Sequence, residues 1–408
     1  MRDDIIVTAT QQKPQPSSVI WTIFLMIPFV LPLGMGLDLY LPSIPSMTSA
    51  LSTDSVKIQL TMSLFLYCYG LGQLFIGPVS DNFGRRRIIL ISLGLFALGS
   101  IICFSSDSLI ILLIGRMLQA FGACGSQVVA FAMIRDQYDG KDATMIYTAL
   151  KGATAIAPIG APILGAFLQI HYGWQASFAV LSLYGGLLLC LAILSLKETH
   201  SYPTKQAPTR FIKRYLSPYK KILSHRGTLY FCGCGIATQA GMFGYFSLSP
   251  RYFITLFGLS ESQFAMLFSI NAVAFLLTSA FMGKWIYRLG FRKTTLIGAC
   301  LLMVSGTLMV LAHHFYQHPF VLFLPNLVAS SSAAIMLGAS ASGAMLPFKE
   351  NAGAAAAMFG CLEFIGGGLI GSMAILGENI TVLPLAASLI ILGMLVSLMN
   401  VLWREHIT

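Results

Sequence analysis

A helix needs about 20 apolar residues to cross a bilayer, and this chain is built almost wholly from such runs. Twelve stand out, at residues 19–41, 57–79, 88–105, 108–133, 145–170, 175–195, 227–249, 262–284, 294–312, 319–346, 352–376 and 382–403. Only 10% of the 408 residues are charged, against about 25% in a soluble globular domain. Too little polar surface remains to coat a water-soluble globule. The pattern excludes a cytosolic enzyme, a secreted disulfide scaffold and a disordered chain. It predicts an all-α membrane protein of twelve transmembrane helices.

Basic residues orient the spans. With the N-terminus inside, 21 of the 25 lysines and arginines fall on inner segments. Only Lys57 and Arg251 lie outside, while Arg116 and Lys151 lie within spans. Both termini are therefore expected in the cytoplasm. The net charge of +10 reads as topology plus contact with anionic lipid. Because these charges flank spans instead of forming one patch, no nucleic-acid partner is expected. The first 18 residues are polar and no cleavage site follows, so no cleavable signal is expected. The stretch 196–226 holds three prolines, many charges and no apolar run. It reads as a basic cytoplasmic linker between a first half, 1–195, and a second, 227–408. The eight cysteines fall in apolar spans and read as buried small hydrophobes. His313, His314 and His318 share one outer loop without a carboxylate, so no metal site is expected.

The halves repeat. Gly77-Pro-Val-Ser-Asp-Asn-Phe-Gly-Arg-Arg-Arg87 aligns with Gly283-Lys-Trp-Ile-Tyr-Arg-Leu-Gly-Phe-Arg-Lys293 at an offset of 206 residues. Gly77/Gly283, Gly84/Gly290 and Arg86/Arg292 coincide, and the same offset places Gly160 and Gly165 on Gly366 and Gly371. Two six-helix bundles of the same orientation are predicted. Such repeats hold a solute at their interface near the midplane and rock about it.

Charges inside spans carry the chemistry, since each costs about 2.5–3.5 kcal/mol at a helix centre. Asp38 lies in the outer third of the first span and Arg116 at similar depth in the fourth. Burial favours the neutral acid and a nearby guanidinium favours the carboxylate. That balance suits proton coupling; a static ion pair or a headgroup position is the plainer alternative. Glu363, among glycines of the eleventh span, suits a cationic substrate, a second proton, or a permanently protonated acid bonded to backbone. Lys151 has a stem long enough to reach the inner headgroups. In the loop Gly77–Arg87, Gly77 and Gly84 allow a tight turn. Asp81 is placed to meet a helix N-terminus. Arg85 and Arg86 are placed to pair with Asp136 or Asp142, as a latch on the inner face. Pro158, Gly160, Pro162 and Gly165 make the fifth span a kinked, close-packing helix. Tyr40, Tyr67, Tyr69, Gln73, Gln119, Gln127, Gln239, Phe243, Tyr245, Asn271 and Asn326 are candidate linings of an amphipathic cavity for drug-sized molecules.

Taken together these motifs resemble the major facilitator superfamily. The Gly77–Arg87 loop matches its signature between the second and third spans. Arg-Met-Leu-Gln-Ala (116–120) resembles the fourth-span motif, and the fifth-span run resembles the antiporter motif, with Ala157 and Ala161 where many exporters carry glycine. Asp38-Leu-Tyr-Leu-Pro-Ser-Ile-Pro45, Phe243-Gly-Tyr-Phe-Ser-Leu-Ser-Pro250, Tyr-Gly-Trp-Gln-Ala-Ser-Phe (172–178) and the region around Asn271 resemble the bicyclomycin-resistance (Bcr/CflA) branch. The resemblance implies a monomeric proton antiporter of the bacterial inner membrane, with Asp38 as the protonatable acid and Arg116 as its modulator. It implies no cofactor other than protons, and a small-molecule substrate. Glu363 and Lys151 depart from the branch's pattern and leave a siderophore or amino-acid derivative beside antibiotics as the substrate. An uptake symporter and a non-transporting receptor or scaffold stay open; an enzyme is not expected, since no nucleophile–base pair stands out.

Overall fold

The computed structural model describes residues 18–199, 218–316, 318–373 and 380–404. The N-terminal tail and most of the linker expected at 196–226 lie outside them. The first crossing is assembled from pieces: α1 (Val19–Val30), α2 (Pro32–Asp38), a 3-10 turn (Leu41–Ser43) and α3 (Ile44–Ala50). Each piece after α1 carries proline in its first two positions, where a missing N–H costs nothing. Pro32 leaves the Pro28 carbonyl without the donor four residues on, and the Tyr184 hydroxyl donates to it at 2.6 Å. The crossing therefore runs to Ala50, beyond the expected end at residue 41. Asp38 sits 12 residues before that end.

There follow α4 (Ser55–Phe83), α5 (Arg85–Phe104), α6 (Leu109–Gln137), α7 (Gly140–Tyr172), α8 (Gln175–Ser195), α9 (Arg226–Pro250), α10 (Glu261–Phe315), α11 (Phe320–Met345), α12 (Ala352–Met373) and α13 (Leu383–Leu402). Among the described residues, ten helical stretches are long and apolar enough to span. The 55-residue α10 counts twice, because Gly290 (φ 77°, ψ 166°) breaks it into arms 261–289 and 291–315. α9 is less apolar but almost wholly buried, and brings the crossings to twelve. Phe24, Phe75, Ile110, Leu187, Leu194 and Leu402 are exposed on the outer faces, an apolar surface suited to lipid and not to water.

The repeat is visible in three dimensions. Gly84 joins α4 to α5 at φ 94°, ψ 141°, the same left-handed kink as Gly290. Glycine takes this conformation without strain. At the same offset, Arg86 donates to the Leu196 and Ile193 carbonyls at 2.7 and 2.9 Å, closing the end of α8. Arg292 donates to Asn400 Oδ1 and O at 3.1 and 3.3 Å, closing the end of α13. Each arginine thus satisfies the last turn of the helix that ends its own half. The expected turn at Gly77 is absent: residues 77–83 are helical and the joint is Gly84 alone. Pro78 frees the Leu74 carbonyl, which accepts the Tyr219 hydroxyl at 3.0 Å.

Helices α1–α8 pack together, as do α9–α13, and the two bundles meet along α4–α12 and α7–α10. One end of the molecule carries Gly84, Gly290 and most of the arginines and is called the basic end. At the far end the seam is shut. Gln59 Nε2 donates to the Ser247 carbonyl at 2.5 Å, Ser63 and Ser372 hydroxyls meet at 2.9 Å, and Ser269 donates to the Ile159 carbonyl at 2.7 Å. Ser247 has a carbonyl to offer because the N–H four residues on, of Arg251, bonds to the Leu248 carbonyl instead. Toward the basic end Met145, Lys151 and Ile156 of α7 and Phe281 and Tyr287 of α10 are exposed. We read the space between the bundles as a cleft that opens to that end.

Candidate functional site

One turn of α6 places Arg116 and Gln119 on the same face. Arg116 is 0% exposed. Its Nη1 donates to the Gly36 carbonyl at 2.8 Å and to Gln119 Oε1 at 2.5 Å, and its Nε donates to the Thr61 carbonyl at 3.3 Å. The guanidinium carbon lies 4.6 Å from the Tyr40 ring centroid and 4.3 Å from that of Phe65. Gln119 passes the chain on to the Ser100 hydroxyl at 2.8 Å. Asp38 is 2% exposed, and among the described residues no ion pair joins it to Arg116. The Gly36 carbonyl, two residues earlier on α2, occupies the guanidinium instead. The Asp38 carboxyl turns toward α7, with Oδ2 3.8 Å from the position a Cβ on Gly34 would take. Asp38 Oδ1 and Arg116 Nη2 are both buried without a hydrogen-bond partner. The static ion pair is therefore not what this conformation holds.

Gly165 is where α7 meets this acid. A methyl group there would strike the Leu39 carbonyl, the backbone next to Asp38, whereas nothing lies within 4 Å of one on Gly160. Pro158 and Pro162 sit inside the unbroken α7.

The charged cluster at the basic end lies within the first bundle. Arg85, 1% exposed, pairs with Asp81 at 2.5 Å and with Asp136 at 2.9 Å, and donates to Ser80 Oγ at 2.5 Å. Asp142 is exposed and takes no part. Asp81 does not cap α5, as its position had led one to expect. Glu198 does, accepting from the Arg85 and Arg86 N–H groups at 2.9 and 3.2 Å. Glu198 belongs by charge to the linker stretch; its place just past the end of α8 is what reveals the cap.

The cavity candidates divide. Tyr40 is fully buried, its hydroxyl 3.0 Å from Thr61. Tyr245, Asn271, Asn326 and Ser330 form a closed network in the second bundle, with Asn271 Nδ2 donating to Tyr245 at 3.1 Å and Asn326 Nδ2 to Asn271 Oδ1 at 3.0 Å. Phe243 packs beneath Gly371, and Gly360 packs against Gln73. Around the cleft stand Tyr67, half-buried against Gly368, and Tyr69, which donates to Gln127 and meets the Phe364 ring edge-on at 4.8 Å. Gln239 lies against Gly367. Glu363 packs beside Gly235. Lys151 is exposed, and its Nζ lies 5.0 Å from the Phe131 ring centroid. Gln59, which the sequence reading did not single out, is 0% exposed and bridges the bundles.

Residues 26–372 match the family model described as Major Facilitator Superfamily. The chain belongs to this superfamily. It is a multi-pass membrane transporter, not an enzyme. A chloramphenicol resistance protein of Pseudomonas aeruginosa is 31% identical over 354 residues, covering 86% of this chain and 82% of that one. Multidrug resistance protein D of Escherichia coli (strain K12) is 28% identical over 360 residues, covering 86% and 88%. Among solved structures, a D-xylose-proton symporter superposes with a TM-score of 0.74 at 14% identity, over 93% of this chain and 97% of that one. A peptide transporter solved with sulfate superposes with a TM-score of 0.77 at 12% identity, over 96% of both chains. At such identity these two speak for the fold alone.

Proposed function

We propose that this protein is a proton-driven exporter of drug-sized organic compounds, an antiporter that works by alternating access. It would lie in the bacterial inner membrane with the basic end and both termini in the cytoplasm. The observation that carries this reading is Asp38: a carboxyl 2% exposed, in no ion pair among the described residues, next to a seam that is shut. A bare carboxylate there would cost several kcal/mol, so Asp38 is protonated in this conformation. Opening the far end rehydrates it and brings Arg116 Nη2 within the choices open to it, and the proton leaves or enters as the bundles rock. The resistance proteins to which the chain is similar support an export direction. The basic cluster around Arg85 is read as a latch that is disengaged from the second bundle while the cleft faces the cytoplasm. The membrane potential supplies about 2.3 kcal/mol per charge moved through 100 mV. Tyr67, Gln127, Gln239 and Glu363 would face the solute.

The test is proteoliposomes holding the purified protein and loaded with chloramphenicol, under an imposed pH gradient. Efflux that follows the gradient and stops with a protonophore is expected. Efflux indifferent to the gradient would remove the proton-driven reading. A second reading, export of a polar metabolite such as a siderophore or an amino-acid derivative, is favoured by one observation: Lys151 and Glu363 place opposite charges at the cleft.

A further inference from the structure

Lys151 lies 11 residues into α7 of the first bundle, about 16 Å from the basic end of that helix. It is nonetheless exposed, so the surface it touches is the wall of the cleft. Among the described residues it makes no ion pair. Its Nζ rests 5.0 Å from the Phe131 ring centroid, an approach that places a cation on an aromatic face. Glu363 lies on α12 of the second bundle and is 7% exposed. Its carboxyl makes no hydrogen bond to any described residue, yet neither oxygen is among the atoms sealed from solvent without a partner. What exposure it keeps is therefore toward the cleft. The two do not touch, but the path between them is short: Gln127, one turn before Phe131 on α6, accepts from Tyr69, whose ring packs on Phe364 beside Glu363.

We propose that Lys151 and Glu363 together form a binding site for zwitterionic solutes, Lys151 taking a carboxylate and Glu363 a protonated amine. This rests on the transport reading above and names the solute class for it. An ammonium beside Glu363 stabilises its ionised form, so with such a solute bound the two groups carry opposite charges; they are separated by more than ion-pair distance and stand on two bodies that move relative to each other. A cation alone would leave Lys151 facing a second positive charge, and an anion alone would do the same to Glu363. A solute bearing both charges satisfies each at once. It also ties α7 to α12 across the cleft, so its binding energy favours closing the bundles around it.

A matched fluorescent series separates these cases: Nε-dansyl-lysine carries both charges, dansylcadaverine only the amine, and 6-(dansylamino)hexanoic acid only the carboxylate. Binding is read by fluorescence on the full-length protein in lipid nanodiscs. The zwitterion is expected to bind at least about tenfold more tightly than either relative, the worth of one added charge contact. Glu363→Gln should bring the zwitterion down to the level of the hexanoic acid. Lys151→Gln should bring it down to dansylcadaverine, and the swap Lys151→Glu with Glu363→Lys should restore the preference for the zwitterion. Equal affinity for all three probes, binding of none, or variants that weaken all three alike overturns the proposal. The last result is that of a pair serving only to hold the bundles together. Chloramphenicol efflux in proteoliposomes of the wild type keeps the two readings apart: efflux without zwitterion preference removes only this proposal, and absence of gradient-driven efflux removes the export reading.

Discussion

Replacing Asp38 by asparagine tests the unpaired acid directly. The amide has the shape of the carboxyl and is neutral, as the protonated acid is. The structure gives Asp38 Oδ1 no donor and no cation, so unfolding free energy should change by less than about 1 kcal/mol in either direction. Breaking a buried ion pair by removing one partner costs about 3–5 kcal/mol. Arg116 offers the contrast. Arg116→Met removes hydrogen bonds to Gly36, Thr61 and Gln119, each worth about 1.5–3 kcal/mol for a charged donor. Contacts with the Tyr40 and Phe65 rings are lost as well, at about 0.5–2 kcal/mol apiece. These terms are not additive, but a loss of about 4 kcal/mol or more is expected. Unfolding in mixed detergent micelles measures both variants and the double variant. Because the two side chains do not meet, their effects should add within about 0.5 kcal/mol. Gradient-driven efflux should vanish in Asp38→Asn while solute counterflow, which needs no net proton movement, persists. A loss near 3 kcal/mol in Asp38→Asn, or a coupling of that order with Arg116→Met, would refute the reasoning.

Two glycines that look alike in the fifth-span motif should behave differently. Gly165→Ala drives a methyl into the Leu39 carbonyl, costing about 1–3 kcal/mol and lowering efflux through displacement of α2. Gly160→Ala meets nothing within 4 Å and should be neutral or stabilising by up to about 1 kcal/mol; thermal unfolding and efflux of the two variants decide. Arg85→Gln removes the pairs with Asp81 and Asp136. Their side chains are 30% and 14% exposed, so water takes up part of the loss and about 1–3 kcal/mol is expected, with faster amide exchange at the start of α5. At the far end, the Lys57 side chain, 2.9 Å from Asp54, holds that carboxyl below the usual range. Its cap on α4 is therefore complete above about pH 4 and fades only as pH falls through the lowered value. Amide exchange over residues 55–58 should be flat from pH 7 to 5, after correction for intrinsic rates, and rise only once pH falls below the ordinary aspartate value of about 4.

Hydropathy alone locates twelve crossings, because apolar length is a property of the chain and not of its packing. The repeat was legible for a similar reason: Gly84 and Gly290 need φ values of 94° and 77°, which few other residues accept. The ends of helices were less legible. Pro42 and Pro45 look like terminators, but at the first turn of a new segment proline continues the path, so the first crossing reaches Ala50. The partners of buried polar groups were the least legible. Depth put Arg116 beside Asp38, but a guanidinium can be satisfied by carbonyls, and the choice between Gly36 O and the Asp38 carboxyl depends on the rotation of α2. Tyr40, Gln119, Tyr245 and Asn271 have the composition of a cavity wall, yet each is consumed by a partner inside its own bundle.

That division between satisfied and unsatisfied polar groups bears on how the molecule moves. Inside the bundles the networks close: Asn400 donates to Tyr230 at 2.6 Å, Tyr230 meets Thr295 at 2.7 Å, and Arg116, Gln119 and Ser100 form a continuous chain. The buried atoms without partners include Ser43 Oγ, Gln59 Oε1, Ser247 Oγ and Ser249 Oγ. They belong to the first crossing, the start of α4 and the last turn of α9, segments of both bundles that meet at the far end. Each buried orphan costs about 1–3 kcal/mol that water would relieve. Four of the seven such atoms among the described residues thus stand at the joint between the bundles, and three, Asp38 Oδ1, Arg116 Nη2 and Gln169 Oε1, lie within the first bundle. A seam that is shut against this cost opens for a small input, and protonation or release at Asp38, worth a few kcal/mol under a membrane potential, is of the size required.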